Sequence, residues 1–288
     1  MSLKEKIKSG KFIVTSEIGP PKGIDIKELL EEAGILKPRV DAVNVTDLQS
    51  AVMRLGSLAV SYLLKEDGVE PIYQLTCRDR NRLALQSDAL SAAVLGIENI
   101  LVLTGDHPCR GDHPEAKPVY DLDSMQLIEV LRKLEMGRDM AGKEMKGAPK
   151  FCVGAVVNPG ANPLEPELIK FEKKIRAGAE FFQTQGVYDV GAFAKFAEKV
   201  KGFKTCVIAG IILLKSADMA RYMNKNVAGI FVPENLINEM ELASDKQAKS
   251  VEIAARTINE LKGLVNGVHI MSIGWNKLVP RILDAAGL

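Results

Sequence analysis

The stretch FIVTSEIGPPKGIDIKELLEEAGIL, residues 12–36, contains a strand and a helix joined by a stiff turn. Its first seven residues are mostly apolar and β-branched, which is typical of a β-strand. Farther along, apolar residues recur at helical spacing, at Ile26, Leu29 and Ala33. The Gly-Pro-Pro between these segments ends the strand and fixes a turn. The stretch therefore predicts one strand–helix unit, with the carboxylate of Glu17 at the end of the strand.

The same unit recurs along the chain. Nearly continuous apolar runs, the pattern of parallel strands covered on both faces, occupy residues 12–18, 40–46, 70–77, 99–105, 151–157, 181–187, 205–212 and 268–273. Amphipathic segments lie between them, at residues 24–36, 81–96, 124–137, 166–179, 190–202 and 245–264. Because strands and helices alternate without a break in composition, we predict an α/β fold, a single (β/α)8 TIM barrel of residues 1–288. A doubly wound open sheet is the alternative, although no G-x-G-x-x-G follows a strand.

Composition excludes several classes of function. The 38 Lys and Arg residues balance 37 Asp and Glu residues, so we expect binding neither to nucleic acid nor to an anionic membrane. No apolar run of about 18 residues predicts a membrane span, and the charged N-terminus does not resemble a signal peptide. The four cysteines form no C-x-x-C pair, which is typical of a reduced, cytoplasmic protein. The stretch DHPCRGDH, residues 106–113, is too isolated to predict a metal site.

Polar side chains stand at the predicted strand ends, where this class of barrel forms its active site. Two are carboxylates, Glu17 and Asp106, and the others are amides and hydroxyls: Asn44, Thr46, Gln74, Thr76, Asn158, Gln183, Gln185 and Ser272. Such a set favours an uncharged polar ligand, for example a heteroaromatic ring system. Structural interpretations stay open, since Asp106 could cap a loop or helix, the amides could be satisfied barrel residues, and Glu17 could be a capping or surface residue.

Three arginines follow the third predicted strand, Arg78, Arg80 and Arg82 in CRDRNR. Guanidinium groups at this position could clamp a phosphate, because their donors match its oxygens in pairs. They could equally lie on the solvated start of a helix. The sequence leaves both interpretations open.

Five motifs at the strand ends follow the order found in one enzyme family: TSEIGPPKG, QLTCRDRNR, NILVLTGD, AGAEFFQTQGVYD and AGIILLKS. On these motifs the chain resembles methylenetetrahydrofolate reductases, from Phe12 to the last helix. The resemblance implies a flavin-dependent TIM-barrel enzyme that reduces 5,10-methylenetetrahydrofolate to 5-methyltetrahydrofolate in a ping-pong cycle. The implied cofactor is FAD, with FMN as the alternative.

The resemblance also implies roles for individual residues. Glu17 corresponds to the acid that protonates N10 of the folate, opening its five-membered ring to an iminium ion that accepts hydride from reduced flavin. Asp106 corresponds to an acid that stabilises this cation, and Gln185 to a folate-binding glutamine. Met219 and Met223 fall on the helix that lies over flavin and folate. Flavin contacts carry over to Thr46, Gln74, Thr104, Gly105, Asp106, Tyr120, Asn158, Glu167 and Lys174.

The chain departs from well-studied bacterial members of that family. Gln74 stands where they have His, and Thr104-Gly105-Asp106 stands where they have Arg-Gly-Asp. Met223 replaces an aromatic residue of the usual nicotinamide site. These changes resemble a divergent, anaerobe-type branch, so we expect the electron donor to be NAD(P)H or a partner electron-transfer subunit, and the chain to form an oligomer or a hetero-complex. Two alternatives stay open: a flavin-carrying subunit of a larger reductase complex, and a flavin-free pterin-binding methyltransferase barrel.

Overall fold

Eight parallel strands form a closed barrel in the computed structural model, which describes all 288 residues. The strands are β1 Ile13–Ile18, β2 Ala42–Val45, β3 Pro71–Thr76, β4 Asn99–Leu103, β5 Cys152–Val157, β6 Phe181–Gly186, β7 Cys206–Ile212 and β8 Gly267–Met271. Each strand pairs with the next in chain order, and β8 closes the barrel by pairing with β1. The predicted (β/α)8 TIM barrel is confirmed, and the open sheet is wrong.

Helices surround the barrel. They are α1 Leu3–Ser9, α2 Lys27–Leu36, α3 Ser57–Glu66, α4 Arg82–Val94, α5 Ser124–Glu135, α6 Glu165–Ala177, α7 Val190–Val200, α8 Ala217–Asn226, α9 Glu234–Leu242, α10 Lys246–Leu261 and α11 Val279–Ala286. The amphipathic segments listed from the sequence do not include α1, α3, α8, α9 or α11, each of which has ten residues or fewer. None of the helices is long and apolar enough to cross a membrane.

The interior of the barrel changes character along its axis. Its base is an apolar layer made by Leu3, Ile13, Ala42, Ile72, Leu101, Cys152, Phe181, Cys206 and Ile208. Leu3 comes from α1, which therefore covers the N-terminal end of the barrel. Above this layer the buried interior becomes polar, with Thr15, Asn44, Gln183 and His269. The largest apolar cluster lies elsewhere, between the strands and the surrounding helices. Polar chemistry is therefore confined to the upper half of the barrel.

Phe181 fills the base of the barrel because its neighbour Gly154 has no side chain. A Cβ atom at Gly154 would lie 2.2 Å from Cζ of Phe181. We expect Gly154→Ala to lower the free energy of unfolding by about 1–3 kcal/mol, as over-packed cores do. Urea denaturation measures the change. Gly34→Ala is the control, because nothing lies within 4 Å of the Cβ position there in α2, and alanine in a helix should stabilise by about 0.5–1 kcal/mol. Unchanged stability of Gly154→Ala would contradict the steric argument.

Candidate active site

A cavity of about 450 Å³ opens at the C-terminal ends of the strands, where this class of barrel places its active site. Nine of the predicted site residues line it: Glu17, Gln74, Thr104, Gly105, Asp106, Asn158, Glu167, Lys174 and Gln185. Gln183, another of the strand-end amides, lines it too, and eight lining residues are not predicted as site residues: Ser124, Thr184, His269, Met271, Leu101, Leu103, Val156 and Val157. The cavity therefore brings together most of the residues predicted from the strand ends and from the family resemblance.

A second cavity, of about 520 Å³, lies at the opposite end of the barrel, near the starts of β7 and β8. Two of its polar residues, Glu180 and Asn266, already bind other parts of the protein. Glu180 accepts hydrogen bonds from Lys4 and Arg132, and the side chain of Asn266 accepts one from the backbone N–H of Val207. Although this cavity is larger, we place the functional site at the C-terminal ends, because the carboxylates and amides of the strand ends converge there.

Glu17 is the second-last residue of β1 and points into the cavity at the C-terminal ends. Its side chain is 13% exposed, and its Oε2 atom lies 3.7 Å from Nε2 of His269 on β8. His269 is itself buried. The sequence does not reveal this neighbour, because His269 interrupts an otherwise apolar strand and reaches β1 only through the closure of the barrel. The carboxyl group thus faces the cavity on one side and an imidazole on the other.

A buried hydrogen-bond network extends from His269 across the barrel. Nδ1 of His269 lies 2.9 Å from Oγ1 of Thr15. The side-chain amide of Gln183 donates to the same hydroxyl oxygen at 3.4 Å. Gln183 and Asn44 exchange two amide hydrogen bonds, of 2.7 and 3.0 Å. A continuous polar chain therefore joins β2, β6, β1 and β8 and ends beside Glu17.

Gly105 and Asp106 form a tight turn after β4. Gly105 has a φ of +91°, and a Cβ atom there would lie 2.3 Å from Cγ2 of Thr76. Tyr120 does not line the cavity, but its hydroxyl donates to the carbonyl oxygen of Gly105 at 3.2 Å. Arg78 donates to the carbonyl oxygen of Asp106 at 3.1 Å. The turn thus needs glycine, and it leaves the Asp106 side chain exposed at the mouth.

Asn158, Glu167 and Lys174 hold the end of β5 against α6. The backbone N–H of Asn158 donates to the carboxylate of Glu167 at 2.9 Å. The ammonium group of Lys174 donates to the carbonyl oxygen of Val156 at 2.7 Å. Burial lowers the pKa of Lys174, because a charged amine loses hydration there. These side chains line the cavity and already have protein partners.

Gln185 lies in a β-bulge, where the pairing of β6 with β7 shifts register between Gln183 and Gly186. Thr184 stabilises the bulge, since its hydroxyl donates to the carbonyl oxygen of Gln185 at 2.7 Å and accepts from the N–H of Gly210 at 2.9 Å. Bulges near active sites commonly re-aim a side chain. The irregularity thus fixes the direction of Gln185 at the cavity wall.

Four predicted site residues lie outside the lining of the cavity: Tyr120, which binds Gly105, and also Thr46, Met219 and Met223. Thr46 follows β2 and is buried, and its hydroxyl has no hydrogen-bond partner in the protein. Met219 accepts a hydrogen bond through its sulfur from the N–H of Lys215, at 3.5 Å. Met223 is 5% exposed and packs in the apolar cluster around α8 and α9. The sequence does not predict which of these two methionines is buried in the cluster, because both lie on the same amphipathic helix.

The three arginines after β3 all bind within the protein. Arg78 binds Asp79 and two backbone carbonyl groups. Arg82 binds Asp121 at 2.8 Å. Arg80 binds Asp47 at 2.7 Å and Asp88 at 2.8 Å. These guanidinium groups therefore hold loops together and are not free to clamp a phosphate.

Asp47 joins the ends of β2 and β3. Its buried carboxylate accepts hydrogen bonds from Arg80 at 2.7 Å, from the backbone N–H of Thr76 at 3.0 Å and from the hydroxyl of Ser57 at 3.0 Å. Arg80 in turn reaches Asp88 at 2.8 Å. A buried charge needs such partners, since it has lost its water. Asp47 thereby fixes the end of β3, which carries two polar strand-end residues.

The loops after β2 and β4 pack against each other beside the mouth of the barrel. Leu48, Ser50 and Ala51 in the first loop have φ values of +47°, +57° and +59°, which side-chain-bearing residues rarely adopt. In the second loop, a Cβ atom at Gly111 would lie 1.8 Å from the carbonyl oxygen of Ala51. The two backbones therefore touch where only glycine fits. No group of three or more His, Cys, Asp or Glu side chains is arranged to hold a metal ion.

Comparison with known proteins agrees with the geometry. The family model of methylenetetrahydrofolate reductase matches residues 2–287. Methylenetetrahydrofolate reductase 2 of Schizosaccharomyces pombe is 27% identical over 238 residues, which cover 74% of this chain and 35% of that protein. The 5,10-methylenetetrahydrofolate reductase of Pectobacterium carotovorum is 28% identical over 207 residues, which cover 70% of this chain and 61% of that protein. The chain thus spans between about a third and three-fifths of these relatives.

Among solved structures, a protein from Clostridium thermocellum has the same fold. Its TM-score is 0.69 at 19% identity, and the match covers 99% of both chains. That protein binds two copies of 5-methyl-5,6,7,8-tetrahydrofolic acid. The family match extends over nearly the whole chain and agrees with the barrel and with the motifs at its strand ends. The chain therefore belongs to the methylenetetrahydrofolate reductase family.

Proposed function

We propose that the chain catalyses the flavin-dependent reduction of 5,10-methylenetetrahydrofolate to 5-methyltetrahydrofolate, with Glu17 as the general acid. The observation that carries this proposal is a carboxyl group at the wall of a polar cavity, 3.7 Å from a buried imidazole. Membership of the reductase family supports the reaction, and the folate bound by the Clostridium thermocellum protein supports the substrate. The amides around the cavity suit a pterin, which is a flat ring system with several donors and acceptors.

The residues at the strand ends fit a flavin. The hydroxyls of Thr46 and Thr76 are buried without protein partners, and buried polar groups usually have one. Gly105 offers bare backbone in a turn where no side chain fits. We infer that the flavin is held by Thr46, Gln74, Thr104, Gly105, Asp106, Tyr120, Asn158, Glu167 and Lys174. When bound, reduced flavin supplies a hydride to the methylene carbon of the substrate.

Glu17 supplies the proton in this proposal. It protonates N10 of the folate, the carbon–nitrogen bond to N10 breaks, and a cationic iminium is left on the substrate. Asp106, a carboxylate exposed at the mouth, stabilises that cation by opposite charge. Gln185 binds the pterin by hydrogen bonds. The proton given to N10 leaves with the product, and the carboxylate left on Glu17 beside His269 takes up a new proton from solvent.

The electron donor is proposed to be NAD(P)H or a partner electron-transfer subunit, within an oligomer or a hetero-complex. Met223 bears on this choice, because its side chain is buried in a separate apolar cluster and gives little surface for stacking a nicotinamide. An assay of the purified chain with NADH and then with a reduced viologen dye distinguishes the donors. Turnover with the dye alone would favour the partner subunit, and turnover with NADH would oppose it.

We expect the purified chain to be yellow, with a flavin absorption spectrum that bleaches on reduction and returns when methylenetetrahydrofolate is added without oxygen. Release of the cofactor and measurement of its mass decide between FAD and FMN. Thr46→Val is a matched variant that removes only the unpartnered hydroxyl, and it should lower flavin occupancy without changing the fold. A colourless chain that takes up no added flavin would overturn the reductase proposal in favour of a flavin-free pterin-binding methyltransferase.

A further inference from the structure

Asn44 and Gln183 form a reciprocal amide pair inside the barrel. The amide of Asn44 donates to Gln183 at 2.7 Å, and the amide of Gln183 donates back at 3.0 Å. Both side chains are buried, as is Thr15 beside them. Gln183 uses its second hydrogen on Thr15, at 3.4 Å. The pair is therefore one end of the chain that reaches His269 and Glu17.

The hydroxyl of Thr15 has a single hydrogen to donate. While Gln183 donates to it, the neighbour left to accept that hydrogen is Nδ1 of His269, at 2.9 Å. The imidazole then carries its own hydrogen on Nε2, which faces Oε2 of Glu17 at 3.7 Å. This arrangement suits an ionised Glu17, because a donor faces the carboxylate.

The same heavy-atom positions allow a second arrangement. If both amides rotate by half a turn, Asn44 and Gln183 still exchange two hydrogen bonds, since oxygen and nitrogen simply trade places. Gln183 then presents its oxygen to Thr15. The hydroxyl of Thr15 donates to that oxygen, and its own lone pair can accept a hydrogen from Nδ1 of His269. The two amides, the hydroxyl of Thr15 and Nδ1 of His269 each keep a hydrogen-bond partner within the network, while the second amide hydrogen of Gln183 gives up Thr15 as its acceptor.

We propose that the Asn44–Gln183 pair is a positioning pair that rotates when the Glu17–His269 pair takes up a proton, and so places a hydrogen on Nδ1 of His269. Before uptake, the two groups share one hydrogen, on Nε2. After uptake of one proton from the cavity, they hold two, one on Nδ1 and one between Nε2 and Oε2 of Glu17. The importance of this linkage for the reaction depends on the proposed function, in which Glu17 is the acid.

Other charged groups face the same cavity and act on the linkage. Asp106 comes from the turn after β4, and Glu167 and Lys174 come from α6. His269 on β8 is the titratable neighbour in contact with Glu17. The Asn44–Gln183 pair carries no charge, so it can rotate without adding a further buried ion to the barrel.

Nuclear magnetic resonance of the whole chain with ¹⁵N-labelled histidine tests the proposal. The chain has three histidines, and His107→Gln and His113→Gln variants assign the signal of His269. We expect Nδ1 to lack a hydrogen at high pH and to gain one as the pH falls. In the unaltered protein the side-chain amide signals of Asn44 and Gln183 should shift with the same midpoint. Amide signals that stay constant while Nδ1 gains its hydrogen would overturn the proposal.

Gln183→Met removes the rotating amide at nearly constant length. The hydroxyl of Thr15 then has no acceptor when Nδ1 of His269 carries a hydrogen, so that state is less stable. The pH at which half of the molecules carry this hydrogen should therefore fall by about one unit or more. Gln185→Met, the same change two positions along β6 and outside the network, should leave the midpoint in place. The same midpoint for Nδ1 of His269 in the unaltered protein, in Gln183→Met and in Gln185→Met would overturn the proposal. Because these signals report protonation and not turnover, the linkage can be found even if Glu17 proves not to be the acid.

Discussion

Glu17→Gln is expected to slow the reaction with methylenetetrahydrofolate by about 10²–10⁴-fold, the usual contribution of a general acid. Glutamine keeps the size of the side chain but has no acidic proton to give to N10. Reduction of the flavin by the electron donor needs no such proton, so it should continue at nearly the normal rate. Rapid-mixing experiments without oxygen measure the two half-reactions separately, through the loss and return of flavin absorbance.

Another acidic residue of the same cavity, Glu167, serves as the control for a general loss of charge. Glu167→Gln also replaces a carboxylate in the cavity wall, but Glu167 accepts a hydrogen bond from the N–H of Asn158. We expect this variant to affect flavin occupancy more than the folate half-reaction of the molecules that retain flavin. If Glu17→Gln oxidised reduced flavin with folate at the normal rate, the general-acid role would be wrong.

Asp47→Ala is expected to lower the free energy of unfolding by about 3 kcal/mol or more, as the loss of one partner of a buried ion pair does. The change removes the buried carboxylate that accepts from Arg80 and from the backbone N–H of Thr76, and it leaves Arg80 with its more exposed partner Asp88. The hydroxyl of Ser57 loses one of its two acceptors and keeps the carbonyl oxygen of Gln74. Denaturation in urea measures the loss, with circular dichroism to follow the helices.

Asp88→Ala is the matched control, because Asp88 binds the same arginine from a more exposed position, with 32% of its side chain exposed. Exposed ion pairs contribute little, so the loss should be about 1 kcal/mol or less. Similar losses in the two variants would show that Asp47 acts merely as a surface charge. The difference between them isolates what the buried carboxylate contributes by joining β2 to β3.

The barrel could be predicted from the sequence because its signals are local. Each strand is an apolar run and the longer helices have clear periodicity, so chain order and the rules for parallel strands supply the rest. The same rules bring strand ends together, which is why Glu17, Gln74 and Asn158 were expected at one cavity and line it. Roles within the cavity came from the family resemblance and not from spacing.

The polar network inside the barrel could not be predicted, because its contacts join distant parts of the chain. Thr15 and His269 meet although they are 254 residues apart, and Asn44 and Gln183 are separated by 139 residues. Such contacts depend on register, and a register shift of one residue reverses which side chains face inward. Met223 shows the same limit on a smaller scale, since its orientation depends on how α8 packs.

The contact between Gly111 and Ala51 has a consequence for how this site can change over evolution. Enzymes of this barrel class usually acquire new specificity by exchanging loops on a constant scaffold. Here, any side chain at Gly111 would collide with the carbonyl group of Ala51, so the loop after β4 cannot accept such a change alone. A side chain at Gly111 would therefore require a change in the loop after β2 as well. New ligand preferences on this side of the mouth would need paired substitutions in both loops.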